Sequence, residues 1–257
     1  MSDTLLHAAA ELARLAGSVA ARHFRTGITV ETKADGTPVT VADREAEAAA
    51  REWLAARFPD DGVLGEEYGE SAAQAGRRWV IDPIDGTKSF VRGVPLWGTL
   101  VALCERTSVL VGAAYFPAVN EMIVAAPGEG CWCNDVRSHV SDVDSMTDAT
   151  VLTTDTRFAG NESRREGWRA LAGQAGLART WGDAYGYLLV ATGRAEVMVD
   201  PVMNPWDAAP FLPIIEEAGG VFADWSGQRT VFGGSAVASN RALATTARTL
   251  LGAGVAR

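Results

Sequence analysis

The sequence predicts a layered α+β fold. Three observations carry it: two amphipathic helix patterns open the chain, a run of strand patterns follows, and the remainder alternates strand with helix. Residues 4–24 place Leu5, Leu6, Ala9, Leu12, Ala13, Ala16, Val19 and Ala20 at three- and four-residue steps, the spacing of one helix face. A second helix is expected over 41–58, opened by Thr40 with Asp43 three residues on and closed by Pro59. Between the two, Asp35-Gly36 and Pro38 mark a turn. Segments 78–82, 98–106, 108–116 and 120–126, rich in Val, Leu, Ala and aromatic residues, read as strands of a meander. After them come a strand near 150–154, a helix near 161–175, a short strand near 177–181, a helix near 184–192 and a strand near 195–200. A helix over 206–218 closed by Gly219-Gly220, a strand near 221–224 and a terminal helix from Asn240 complete the chain. No Pro/Gly/Ser-rich linker or repeat interrupts it, which predicts one domain over 1–257 with two sub-lobes, roughly 1–145 and 146–257.

With 257 residues, 47% of them hydrophobic, the chain is long enough to bury a sizeable core. Lys plus Arg number 23 against 32 Asp plus Glu, and the net charge of −9 is the wrong sign for condensing onto nucleic acid or an anionic membrane. Both partners are excluded. Glu11, Arg14, Arg22 and His23 break up the N-terminal apolar pattern, so no secretory signal is read and the expected compartment is the cytoplasm. Three cysteines, Cys104, Cys131 and Cys133, fit reduced thiols in that compartment, and two close thiolates are too few for a zinc site.

The chemistry gathers in carboxylates. In WVIDPIDGT, residues 79–87, an apolar strand ends in Asp82 and Asp85, with Pro83 fixing φ and Gly86 permitting a tight turn. Such a turn brings the two carboxylates together beside outward-facing amides of Gly86 and Thr87, an arrangement for a cation next to an anion. Glu66-Glu67 precede it and Asp207 follows at a helix start. Taken singly, these read as an Asp-capped turn, a solvated glutamate pair and a helix cap. If they meet, like charges about 4 Å apart repel by roughly 4 kcal/mol per pair at an effective dielectric near 20. Such a group needs cations, and an all-oxygen set without His or Cys points to a hard ion such as Mg²⁺.

Gly65-Glu66-Glu67, the DPIDGT of 82–87, and the WDAA of 206–209 followed by EAGG at 217–220 resemble the inositol monophosphatase family, in order and separation, over nearly the whole chain. The resemblance implies a layered α/β/α/β/α sandwich of the inositol monophosphatase and fructose-1,6-bisphosphatase type, a homodimer, and Mg²⁺-dependent hydrolysis of a small phosphate monoester. Carried over by motif, Glu66, Asp82, the carbonyl of Ile84, Asp85 and Asp207 match the family's ligands for two or three Mg²⁺ ions, with Asp82 bridging two of them. Thr87 with Glu66 matches the pair that orients the attacking water, and Asp43 the carboxylate that supports Thr87. The amides of Gly86 and Thr87 would bind phosphate oxygens.

Within the family, the run GDAYGYLLVATGRAEVMVDP after Trp181, with KADGTPVTVADREAE near the start, is most similar to the histidinol-phosphatase branch. Asp183 follows Gly182 where the inositol branch carries small or hydroxyl residues, and Asp200 stands at the place of that branch's inositol-binding Glu. Both suit the ammonium and imidazole of histidinol phosphate, with Asn204 and Glu67 as further polar partners. Inositol-1-phosphate, nucleotide 3′-phosphates and sugar bisphosphates are the rival esters, and a non-catalytic metal- or phosphate-binding regulator is the rival class. A water-orienting Thr87 has no use in a pure binder. An aspartyl-nucleophile phosphatase is excluded because Asp82 and Asp85 are three apart rather than two, and Lys33 stands two before the other Asp-Gly-Thr.

Overall fold

The computed structural model describes residues 2–33, 36–71 and 76–252. In chain order the first part comprises α1 (Ser2–Ala21), β1 (Val30–Thr32), β2 (Pro38–Thr40), α2 (Val41–Arg57), β3 (Gly62–Gly65), β4 (Gly69–Ser71) and β5 (Arg77–Asp85). Then follow α3 (Thr87–Val91), β6 (Gly98–Glu105), β7 (Ser108–Phe116), β8 (Glu121–Ala126), β9 (Gly130–Cys133) and β10 (Val136–Arg137). The remainder holds β11 (Thr150–Thr153), α4 (Glu162–Gln174), β12 (Leu177–Arg179), α5 (Asp183–Ala191), β13 (Val197–Asp200), α6 (Pro205–Ala208), α7 (Phe211–Glu217), β14 (Val221–Ala223), β15 (Ala236–Ser239) and α8 (Ala244–Leu250).

An eight-stranded sheet runs in the order β10-β9-β8-β7-β6-β5-β3-β4, and a five-stranded sheet in the order β12-β11-β13-β15-β14. Side-chain alternation along the strands decides the layering. In β5 and β6, Trp79, Ile81, Val101 and Leu103 pack on the face that α1 and α2 cover with Leu12, Ala16, Ala46 and Leu54. Val80, Leu100, Ala102 and Cys104 point the other way, into a core shared with Tyr187 and Leu188 of α5, Phe211 and Ile214 of α7, and Met198 and Ala238 of the small sheet. The opposite face of that sheet, with Val151, Val197, Val199 and Val237, is covered by Trp168 and Leu171 of α4 and Ala247 of α8. The succession is helix, sheet, helix, sheet, helix, as the resemblance implied. No described helix is long and apolar enough to cross a membrane. All three cysteines are free thiols, with Cys104 and Cys131 buried.

Several expected boundaries shift for physical reasons. The first helix stops at Ala21 rather than 24, and the helix expected over 206–218 is two, because Pro210 lacks the amide that would continue the ladder. The terminal helix begins at Ala244 rather than Asn240, and the chain from 236 to 239, where no element is expected, is β15; its alanines carry little β signal but fit the tight layer against the middle helices. The short pairs β1/β2, β3/β4 and β9/β10 add strands that no long apolar run announces. Asp35 of the expected turn lies outside the described residues; beside it Gly36, at φ 85°, donates its amide to the Lys33 carbonyl at 2.9 Å.

Candidate active site

Asp82 and Asp85 are three residues apart, and in a regular strand that spacing sends side chains to opposite faces. The strand does not end at Asp82 as expected; it runs on to Asp85 through a bulge. Asp82 stands opposite Leu100 and Asp85 opposite Gly98, so three steps on β5 match two on β6. The extra residue corrects the parity and turns both carboxylates to one side. Pro83 occupies the bulge, where no amide is needed, and its carbonyl accepts the Thr99 hydroxyl at 2.7 Å. The Ile84 amide donates to Asp82 Oδ1 at 3.0 Å. Gly86 then takes the left-handed region at φ 82° and opens α3; a Cβ there would meet Asp183 Oδ2 at 3.1 Å and the Leu96 carbonyl oxygen at 3.2 Å.

Asp207 is both a helix cap and a site residue. At the third position of α6 its Oδ2 accepts the Asn204 amide at 2.9 Å, and carboxylate oxygens of Asp82, Asp85 and Asp207 lie within 4.8 Å of one another. Glu66, on the turn after β3, lines the same cavity of about 240 Å³, as do Ile84, Gly86, Thr87, Lys88 and Asn204. The Thr87 hydroxyl lies 3.0 Å from the Ile84 carbonyl and 3.5 Å from Asp43 Oδ1. Beneath it, buried Asp43 receives the Thr40 amide at 2.8 Å and the Thr40 hydroxyl at 2.6 Å, the capping box expected at the start of α2.

Asp183 also reaches this cavity, from the start of α5. Its φ of 52° is unusual for a residue with a side chain. Two contacts hold it: its amide donates to Thr154 Oγ1 at 2.8 Å, and the next amide, of Ala184, donates to Asp85 Oδ2. Asp200 lies in an adjoining recess lined also by Asp85, Asp183, Tyr187 and Asp207. Its oxygens accept the Tyr187 hydroxyl at 3.0 Å and the Thr154 amide at 3.2 Å. Glu67 is not among the residues lining either space; its carboxylate is taken by Lys33 at 2.7 Å.

The profile of the inositol monophosphatase family matches residues 1–253. The chain belongs to this family. A protein of Chlorobaculum parvum named histidinol-phosphatase is 43% identical over 235 residues, which cover 91% of each chain. One of Rhizobium meliloti named inositol-1-monophosphatase is 33% identical over 257 residues, 97% of this chain and 96% of that one. The crystal structure of the extragenic suppressor protein suhB of Bartonella henselae superposes with a TM-score of 0.91 at 26% identity, covering 98% of this chain and all of that one.

This inositol monophosphatase family member concentrates negative charge in three aspartates, Asp82, Asp85 and Asp207. Burial lifts Asp82 well above the usual carboxylate range, and Glu66, Asp85 and Asp207 lift it further. Burial lifts Asp85 likewise, aided by Asp183 and Asp207, and Asp207 is pushed up to about 6 by burial and Glu66 against the Asn204 amide. No Lys, Arg or His forms an ion pair with these three aspartates among the described residues. The donors are all oxygen, so the group fits a hard divalent cation.

Two further residues of the site, Lys33 and Glu47, stand at the ends of the KADGTPVTVADREAE run, which gave neither of them a role. Lys33 reaches across from the β1–β2 loop to Glu66 Oε1 at 2.8 Å as well as to Glu67. Burial alone would lower its pKa, but the two glutamates more than offset this and hold it raised and charged. Glu47 lies wholly buried on α2; its four-residue step from Asp43 is the one sequence clue that both share a helix face.

Proposed function

We propose that the protein is a Mg²⁺-dependent phosphoric monoester hydrolase acting on histidinol phosphate. The convergence of Glu66, Asp82, Asp85 and Asp207 on one cavity floored by Thr87 carries the reaction class. The chain is read as one domain in which both sub-lobes build the site, since Asp82 and Asp85 come from one and Asp183 and Asp207 from the other.

Glu66, Asp82, Asp85, Asp207 and the Ile84 carbonyl would hold two or three Mg²⁺ ions, which supply charge for the phosphate oxygens and the leaving alkoxide and acidify the attacking water. Thr87 can direct its proton to the Ile84 carbonyl or to Asp43, leaving its lone pairs to accept a proton of that water. Asp43 is held for this purpose by Thr40 rather than by solvent. The amides of Gly86 and Thr87, at the start of α3, precede the first intrahelical bonds, which the Ser89 and Phe90 amides make to the Gly86 carbonyl, and suit phosphate oxygens.

Substrate choice rests on Asp183. A carboxylate lining an acidic cavity favours a leaving group that carries a cation, and the ammonium and imidazole of histidinol meet that need. Asn204 lines the same cavity and Asp200 the adjoining recess, while Glu67 acts through Lys33. The name borne by the Chlorobaculum parvum relative agrees with this choice. Phosphate release measured with Mg²⁺, against a chelator control, should favour histidinol phosphate over inositol-1-phosphate. Asp183→Ala should lower kcat/KM for histidinol phosphate by about 10- to 100-fold, the worth of a hydrogen bond to a charged group, and leave inositol-1-phosphate far less affected. Equal losses on both esters would remove Asp183 from substrate selection, and a preference for the inositol ester would move the enzyme to the other branch.

A further inference from the structure

On α2, Asp43, Glu47 and Arg51 recur every four residues and so line one face of the helix. Asp43 reaches Thr87; the other two reach the turn that carries Glu66. Glu47 Oε2 accepts the amide of Glu67 at 2.7 Å, and Oε1 accepts the amide of Tyr68 at 3.2 Å and Arg51 Nε at 2.8 Å. Arg51 in turn donates Nη2 to the Gly69 carbonyl and lies 5.9 Å from the centre of the Tyr68 ring. The amide of Glu66 itself is held by the Ile81 carbonyl of β5 at 3.2 Å. The backbone from 66 to 69 is therefore fixed at every residue, three times from α2 and once from the strand that carries Asp82.

A fully buried carboxylate is a costly way to fill space, since an apolar side chain of similar volume would serve packing at least as well. Glu47 persists with each oxygen occupied by amides that would otherwise be unpaired. The chain also makes room for it: a Cβ on Gly65 would fall 2.0 Å from Glu47 Oε1 and 2.3 Å from its carboxyl carbon. Gly65 has no need of a left-handed backbone, so the space it leaves open is what matters there. We infer that Glu47 is a positioning residue which, through Gly65 and the amides of Glu67 and Tyr68, aims the Glu66 carboxylate at the cation site. The inference rests on the reading of Glu66 as a cation ligand.

Calorimetric titration of the purified, chelator-stripped protein with Mg²⁺ tests it, alongside melting temperature in chelator and the Mg²⁺ dependence of turnover. Glu66→Gln is the reference and should weaken Mg²⁺ binding. Glu47→Gln keeps the volume but sets an amide N–H against a backbone N–H, and should weaken Mg²⁺ binding roughly 10-fold or more, in the range seen when an outer partner of a metal ligand is lost. The Mg²⁺ concentration for half-maximal rate should rise with it, while kcat at saturating Mg²⁺ changes much less. Gly65→Ala, which leaves the carboxylate but displaces it, should do the same and serves if Glu47→Gln folds poorly. A merely structural Glu47 would lower the melting temperature and leave the Mg²⁺ affinity of the folded protein unchanged in both variants; with Glu66→Gln still weakening Mg²⁺, that result overturns the inference alone. Unchanged Mg²⁺ binding in Glu66→Gln would overturn the reading of Glu66 and the inference together.

Discussion

Asp85→Asn is expected to lower turnover by about a thousandfold or more and to leave the fold intact. The carboxylate is one of three aspartates whose oxygens lie within 4.8 Å of each other, and it accepts the Ala184 amide. Asparagine keeps an acceptor for that amide and nearly the same volume, so the packing of α5 on β5 survives. It removes one negative charge from a group that already repels itself, and charge stabilisation by the bound cation is worth several kcal/mol at the transition state, or about three decades at 1.36 kcal/mol each. Without metal the same change relieves repulsion between Asp85 and its neighbours Asp183 and Asp207. Melting in chelator should therefore occur at or above the wild-type temperature while phosphate release with Mg²⁺ collapses. Near-native turnover would sink the ligand assignment; a collapse of both turnover and melting temperature would mean that Asp85 is structural.

The opposition between stability and activity explains which parts of the site were legible in the sequence. Asp82, Asp85 and Asp207 stood out because each sits in a motif that no packing requirement demands, and local signals placed Asp207 at a helix start and, beside the three, Asp43 in a capping box with Thr40. The bulge that makes Asp82 and Asp85 face the same way was not legible, since it depends on their pairing with Leu100 and Gly98, eighteen and thirteen residues downstream. Nor was the left-handed backbone of Asp183, which is imposed by Thr154 and Asp85 from other elements. Lys33 escaped because a lone lysine in a Gly/Pro turn looks solvated, and only the tertiary fold carries it to Glu66. At the level of the fold, periodicity sufficed for α1, α2 and β6 to β8, where a whole face is apolar. It failed at β15, whose residues Ala236 to Ser239 are chosen for small volume beneath the middle helices.

The second large effect concerns pH and a residue outside the aspartate group. Asp200 is buried, and burial pushes its pKa up to about 7 even though the Thr154 amide and the Tyr187 hydroxyl hydrogen-bond to it and oppose the rise. An acid whose pKa is raised on folding carries more protons in the native than in the unfolded state, so stability falls as pH rises. The contribution is fully present below the unfolded value near 4 and is lost as pH rises through 7, the whole loss being on the order of 4 kcal/mol for a shift of about three units. Denaturant unfolding in chelator should show a protein distinctly more stable at pH 5 than at pH 8. Asp200→Asn, which cannot ionise, should flatten that difference, and the gap between the two proteins isolates Asp200 from the aspartates that shift in the same direction. An equal slope in both would show that Asp200 is already ionised in the native state at neutral pH. The same proton links stability to substrate: a cationic group entering the recess favours the ionised form, so binding it expels the proton, and affinity for a cationic ester should rise as pH approaches 7 from below, in the range where the empty protein loses stability.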